Sequence, residues 1–389
     1  MAIGASAVQT GAAQTGAVQA GHSTRAHLYH LDVIRLLTCI GVVAIHTVEL
    51  VLPESRAGAA VVIALHDTRE LFFFLTAVVL TYSTGAADRA VRPVPLWRRR
   101  YPLILVPYVA WTIVYWSCDS ISWGHQWPPD PNLAQLGLDL AGGWNHLYFL
   151  FVTMQFYAVF PLLAWGLRRT RGWHLAVLAA SAALEVAMGA FIQYGGSVTP
   201  ERLEFWVSNA PINLLSYQFA FVLGMLAGAR LDAMVEFLRQ HRRGLAVIAV
   251  VCLLLGEAMY VGNLILFHAP PLIAAGPLQP ATVPMTVAGV LALALVADWF
   301  VRRRPLEGRV WTMFRSGAQA SFGIFLAHVA VLYVLVQPAV RRLLGLEALP
   351  NVPLVVVTFV LTVAGTWLVV EGIRWTPVSR ILTGRPRRA

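Results

Sequence analysis

Arg35 and His46 stand eleven positions apart inside the apolar stretch from Tyr29 to Leu50. In a helix, eleven steps bring the two residues within roughly 20° of the same face and about 16 Å apart along the axis. Asp32, Cys39, Val42 and Glu49 fall on that face too, so a polar stripe runs along a segment otherwise built of Leu, Ile and Val. Charges are costly in hydrocarbon, and a helix of this kind turns its stripe toward a protein interior or a wet cavity. These four ionisable groups, Asp32, Arg35, His46 and Glu49, are functional suspects, His46 above all because an imidazole can take up and release a proton near neutral pH. A stripe that only holds helices together is the competing interpretation.

Other segments carry polar groups of the same kind. HDTRELFFFL places His66, Asp67, Arg69 and Glu70 within about a turn and a half, directly before Phe72, Phe73 and Phe74. This suits a wet pocket wall, or a neutralising Arg–Glu pair at a membrane boundary. WRRRYPLILVPY brings Arg98, Arg99 and Arg100 to the start of a span, where guanidinium forks mark topology and also suit the phosphates of a phosphorylated cofactor. WNHLYFLFVTMQFY contributes Asn145, His146 and Gln155. SFGIFLAHVAVLY puts Ser321 and His328 two turns apart on one face. Single imidazoles in such places often serve only as satisfied polar groups. A Gly-x-Ser-x-Gly elbow, a phosphate loop ending in Lys and a His-Glu-x-x-His pair are all missing, which disfavours serine-hydrolase, P-loop and zincin chemistry. Cys39, Cys118 and Cys252 fit no disulfide or zinc spacing.

The elements that position these groups are membrane helices. Of 389 residues, 58% are hydrophobic and 12% charged, about half the charge of a soluble domain, and mean hydropathy is +0.66. The expected fold is an all-α polytopic membrane protein of about ten transmembrane helices, near 31–52, 61–83, 101–121, 144–167, 173–194, 208–229, 244–266, 280–301, 318–338 and 352–373. All 29 basic residues are Arg, and the net charge is +10. In a soluble chain this would suggest nucleic acid. Here 23 of the 29 fall in alternate loops, the positive-inside pattern, which excludes a nucleic-acid partner and puts both termini in the cytoplasm. Residues 1–28 read as a disordered cytoplasmic tail, 29–375 as the transmembrane domain and 376–389 as a basic cytoplasmic tail. Ser122 to Gly143, rich in Pro and Trp and without Arg, reads as an outward-facing cap. Neither an internal repeat nor a soluble domain is apparent.

In order and spacing, these motifs resemble the integral-membrane acyltransferase-3 family across roughly residues 29 to 375. Arg35 and His46 match its first-span signature of Arg, ten residues, His. ELFFFLTAVVLTYS, RRRYPLILVPYVAW, HLYFLFVTMQFYAVFPLL and SFGIFLAH match its second, third, fourth and late spans. One departure is Leu103, which stands where members often carry a second Arg after Arg100. The resemblance implies transfer of acetyl, succinyl or a related group from acyl-CoA, chiefly acetyl-CoA, to a hydroxyl of a polysaccharide, glycolipid or glycosylated metabolite at the cell membrane. It implies no tightly bound cofactor and no metal. His46, Arg35 and Glu49 are then the expected catalytic residues and Arg98, Arg99 and Arg100 the donor site. Arg69, Glu70, His146, Ser321 and His328 are the expected acceptor pocket. Two rivals are a transporter or flippase of a lipid-linked glycan, and a different membrane acyltransferase fold centred on Asn145 and His146.

Overall fold

A computed structural model describes residues 8–122, 133–195, 201–303, 308–340 and 350–388. Among these the chain is helical, with no strand. Helix α1 (Val8–Val51) is followed by α2 (Arg56–Leu65), α3 (Thr68–Thr84), α4 (Pro93–Ser122) and α5 (Leu133–Gly142). A 3-10 turn at Asn145–Leu147 opens α6 (Tyr148–Arg169), and α7 (His174–Tyr194) and α8 (Glu201–Ser208) come next. Two more 3-10 turns lead into α9 (Gln218–Ala229), then α10 (Leu231–Gln240), α11 (Arg242–Leu266), α12 (Pro271–Ala274) and α13 (Thr282–Arg303). Helix α14 (Arg309–Ala330) continues as a π-helical turn at Val331–Val336, and α15 (Asn351–Arg374) and α16 (Ser379–Thr383) close the chain.

Eight helices are long and apolar enough to cross a membrane: Tyr29–Val51, Pro93–Cys118, Asn145–Arg169, His174–Tyr194, Arg242–Leu266, Thr282–Arg303, Trp311–Val336 and Asn351–Arg374. They account for eight of the ten expected segments. The other two are interrupted. The segment expected at 61–83 breaks at His66–Asp67 between α2 and α3, and the one at 208–229 spends its first turns in 3-10 geometry before α9. Non-helical backbone at membrane depth persists only where its groups find partners inside the protein. Here the Glu185 carboxylate accepts the Phe219 N–H at 2.8 Å and Asn213 Oδ1 accepts the Leu215 N–H at 3.0 Å, so side chains do the bonding that a longer helix would have done. Much of the outer cap expected at Ser122 to Gly143, residues 123–132, lies outside the described residues, as do residues 1–7 of the N-terminal tail.

Helix α3 runs at the centre, and its closest packing is against α9. Gly224 and Gly228, one turn apart, let the two backbones touch: a Cβ at Gly224 would lie 2.3 Å from the Phe74 carbonyl oxygen and one at Gly228 2.6 Å from that of Val78. This is the small-residue packing that membrane helices use in place of hydrophobic exclusion. An aromatic core surrounds the pair, with Phe156 and Phe221 stacked at 4.0 Å and Phe73 against Phe149 at 4.6 Å. The lipid-facing surface is carried by α7, α11 and α15, whose Leu175, Leu254 and Leu368 are exposed.

Ion pairs fasten one end of the bundle. Asp298 of α13, almost fully buried, meets Arg302 at 2.6 Å, Arg239 of α10 at 3.0 Å and His30 of α1 at 3.5 Å. Glu371 of α15 holds Arg374 at 2.9 Å and Arg388 at 2.6 Å, which ties the C-terminal residues to the same end.

Candidate active site

His46 lies three turns beyond Arg35 on α1, toward the opposite end of the bundle. Its Nδ1 is 3.3 Å from Glu49 Oε2, an i,i+3 pair on one helix. The helical spacing makes this contact, and it holds the ring so that Nε2 is free for chemistry. Two further imidazoles converge on it from separate helices. His328, near the end of α14, has its ring centroid 5.2 Å from that of His46, and His146, at the start of the fourth long apolar segment, is at 6.1 Å. The His146 and His328 rings are 5.0 Å apart.

His328 Nδ1 is 2.7 Å from the Phe325 carbonyl oxygen. A carbonyl only accepts, so Nδ1 carries the hydrogen and Nε2 is an acceptor, with no partner among the described residues. Neither ring nitrogen of His146 has a hydrogen-bond partner there either. The His146 ring sits edge-on to Tyr115 and Phe325, and Tyr115 is stacked on Trp144 at 4.4 Å. The turn that presents it is tightly shaped. Gly143, at φ +82°, passes so near Tyr148 that a Cβ would fall 2.3 Å from the Tyr148 Cα, and Asn145 has φ +40°. Glycine tolerates this region freely, and asparagine better than most residues.

His46, Glu49, His66, Arg69, Asn145, His146, Tyr148 and Pro277 share one cavity of about 250 Å³, whose apolar wall includes Phe72, Phe149 and Phe325. Across from the histidines, Arg69 is fixed on several sides. Its Nε and Nη2 donate to Glu70 Oε1 at 2.9 and 2.7 Å, Nη2 also donates to the Pro277 carbonyl at 2.7 Å, and Nη1 donates to the Tyr148 hydroxyl at 3.2 Å. Its guanidinium lies 5.1 Å from the centre of the Tyr217 ring. Among the described residues no group of His, Cys, Asp and Glu has the geometry to hold a metal.

The remaining expected site residues fall elsewhere. Arg35 pairs with Asp32 at 3.4 Å, near the ion-paired end. Between it and His46, Cys39 and Val42 are buried, and Cys39 Sγ donates to the Ser321 carbonyl at 3.3 Å. The stripe of α1 is therefore packed shut in its middle. The Ser321 hydroxyl donates to the Ala318 carbonyl at 2.9 Å within its own helix, and neither Ser321 nor His328 lines the cavity; His328 is fully buried against the His46 and His146 rings. Arg98 and Arg99 are exposed at the start of α4, and Arg100 donates to Ser83 Oγ at 3.4 Å at the end of α3. All three sit at the end of the bundle away from His46. Tyr148, Tyr217 and Pro277 were not among the expected site residues. Tyr148 has the nearest thing to a sequence signal, its place two residues after His146.

A helical membrane body that encloses three imidazoles, a carboxylate and a buried cation in one cavity is a polytopic membrane protein with an enzyme-like site. Residues 28–371 match the acyltransferase domain of the acyltransferase-3 family, and the chain belongs to that family. It is therefore a membrane acyltransferase that transfers groups other than aminoacyl groups. No curated protein and no solved structure matches the chain.

Proposed function

We propose that this enzyme moves a short acyl group, acetyl or succinyl in size, from acyl-CoA to a hydroxyl of a polysaccharide, glycolipid or glycosylated metabolite, with His46 as general base. The observation that carries this reading is the packing of the His46, His146 and His328 rings against one another, with His46 and His146 in the wall of one cavity and Glu49 beside the first of them. The cavity of about 250 Å³ gives room for a short acyl unit beside a hydroxyl-bearing carbon. His146 offers acceptor nitrogens to the sugar hydroxyls, His328 backs the His46 ring, and Arg69, held by Glu70, forms another part of the cavity wall. The enzyme works in the cell membrane with both termini in the cytoplasm, as the arginine bias supports. Acyl-CoA then arrives at the end carrying Arg98, Arg99 and Arg100, which meet its phosphates. Its thioester reaches His46 along the α1 stripe once α1 and α14 part at Cys39.

Mass spectrometry of surface glycans, glycolipids and secreted metabolites tests this in a strain lacking the gene and complemented with wild type or His46→Ala. Loss of an acetyl- or succinyl-sized increment that only wild type restores is the expected result. Full restoration by His46→Ala removes His46 as the base.

A further inference from the structure

The geometry points to an oxyanion hole built by Arg69 and Tyr148, a catalytic pair on the cavity wall facing His46, which takes the negative charge that develops on the thioester carbonyl oxygen. This rests on the acyl-CoA reading above and adds the group that stabilises its transition state.

A guanidinium carries five N–H donors. Four of those on Arg69 are engaged: two by Glu70 Oε1, one by the Pro277 carbonyl and one by the Tyr148 hydroxyl. The fifth is on Nη1, the same nitrogen that meets Tyr148, and it has no partner among the described residues. Arg69 and Tyr148 both line the 250 Å³ cavity, and the Nη1 that carries the spare hydrogen is 3.2 Å from the phenol oxygen. Glu70 is fully buried and Arg69 nearly so, and their bonds prevent the guanidinium from swinging away. The phenol is set as firmly. Arg69 donates to it, the Tyr217 ring packs under the guanidinium, and Tyr217 itself is anchored by donation to the Pro211 carbonyl at 2.8 Å. Donors held in place and aimed at developing charge in a water-poor site are what acyl transfer needs, because they require no rearrangement as the charge appears. A simple neutralising Arg–Glu pair would need neither the bond to the Tyr148 phenol nor a place for both residues in the cavity lining.

The acceptor hydroxyl oxygen attacks the thioester carbonyl carbon and forms the new C–O bond, while His46 takes the hydroxyl proton. The carbonyl π electrons move to oxygen, and the resulting oxyanion accepts hydrogen bonds from the Arg69 Nη1–H and the Tyr148 O–H. Collapse of the intermediate breaks the C–S bond, and the departing CoA thiolate recovers the proton from His46.

The test uses the full-length protein in membranes of its source strain deleted for the gene, so that the native acceptor is present. CoA release is measured from acetyl-, propionyl- and succinyl-CoA for wild type, Tyr148→Phe, a 3-fluorotyrosine replacement at 148, Arg69→Lys and His46→Ala. Removing one oxyanion donor costs about 10²–10³ in kcat. Tyr148→Phe is therefore expected to lower kcat by about 10²-fold with KM nearly unchanged, and equally for acyl transfer and for acyl-CoA hydrolysis in detergent-washed protein, because both pass through the same oxyanion. The fluorinated phenol, a stronger donor of nearly the same size, retains or raises the rate. Arg69→Lys, which keeps the charge but loses the fork, falls with Tyr148→Phe. A Tyr148→Phe enzyme with wild-type kcat, or one that loses transfer but hydrolyses acyl-CoA normally, overturns the oxyanion role. In either case loss of activity in His46→Ala leaves the acyl-CoA reading standing. A wild type that releases CoA from none of the three donors removes that reading, and the oxyanion hole with it.

Discussion

His46 of α1 and His328 of α14 face each other with ring centroids 5.2 Å apart, and the Nδ1–H of His328 is committed to the Phe325 carbonyl. The bare Nε2 of His328 is therefore a buried acceptor at the place where His46 takes up its proton. A hydrogen bond to a charged partner contributes about 1.5–3 kcal/mol, so His328→Ala is expected to slow CoA release by about 10–100-fold. His46→Ala loses the base itself and falls further, by about 10²–10⁴-fold. Initial rates of the two variants and of His146→Ala, compared in the same membranes, check the order. If His146→Ala is the most damaging, the base belongs to the 3-10 turn before α6 and not to α1.

Arg98 and Arg99 are exposed at the far end of the bundle and are assigned the donor phosphates. The double variant Arg98→Ala/Arg99→Ala is expected to raise the KM for acyl-CoA about tenfold or more while kcat stays near wild type, since a contact made equally in ground and transition states affects binding alone. Raised salt weakens wild-type donor binding in the same direction. Saturation curves at low and high salt decide it, and a drop in kcat at unchanged KM would reject the assignment.

Gly224 and Gly228 allow α9 to reach the backbone of α3. A methyl group at Gly224 would sit 2.3 Å from a carbonyl oxygen, with Ala77 Cβ at 2.8 Å, so neither a rotamer change nor a small shift relieves it. Gly224→Ala should destabilise the protein by about 1–3 kcal/mol through overpacking. Because α3 carries Arg69, activity falls with it. Thermal unfolding in detergent measures the first effect, and an unchanged midpoint would mean that the two helices separate more easily than their packing implies.

Asp298 neutralises Arg239 and Arg302 from a buried position while both arginines stay part-exposed. Asp298→Asn leaves two cations without their carboxylate at the junction of α1, α10 and α13. The expected loss of about 1–3 kcal/mol lies between that of an exposed pair and that of a fully buried one. It appears as a lower unfolding midpoint with the kcat of the folded enzyme unaffected, because the pair lies far from His46.

Much of this molecule is legible along a single helix. Hydropathy set the all-α membrane class, since any run of about twenty apolar residues with paired backbone groups must be a helix in lipid. The 3.6-residue period put Arg35 and His46 on one face and brought Glu49 within 3.3 Å of His46, because i,i+3 neighbours are determined by local geometry alone. The same period was silent on the two broken segments. The second of them breaks where Asn213 takes the Leu215 N–H and Glu185, 34 positions away, takes that of Phe219, and only the packing brings Glu185 there.

Which polar groups meet across helices was decided only by the packing. His46, His146 and His328 are separated by up to 282 positions in the chain, and nothing in their local spacing distinguishes His328, whose ring packs against the other two, from Ser321, which bonds to its own helix instead. Tyr148 shows no periodic signal; it gained a partner because α3 carries Arg69 beside it, 79 positions away in the chain. Local spacing thus determined the faces of each helix and the bond between His46 and Glu49. The cavity, its three imidazoles and the cation opposite them depend on how the helices cross, which close approach at Gly224 and Gly228 and interlocking aromatic rings decide in three dimensions.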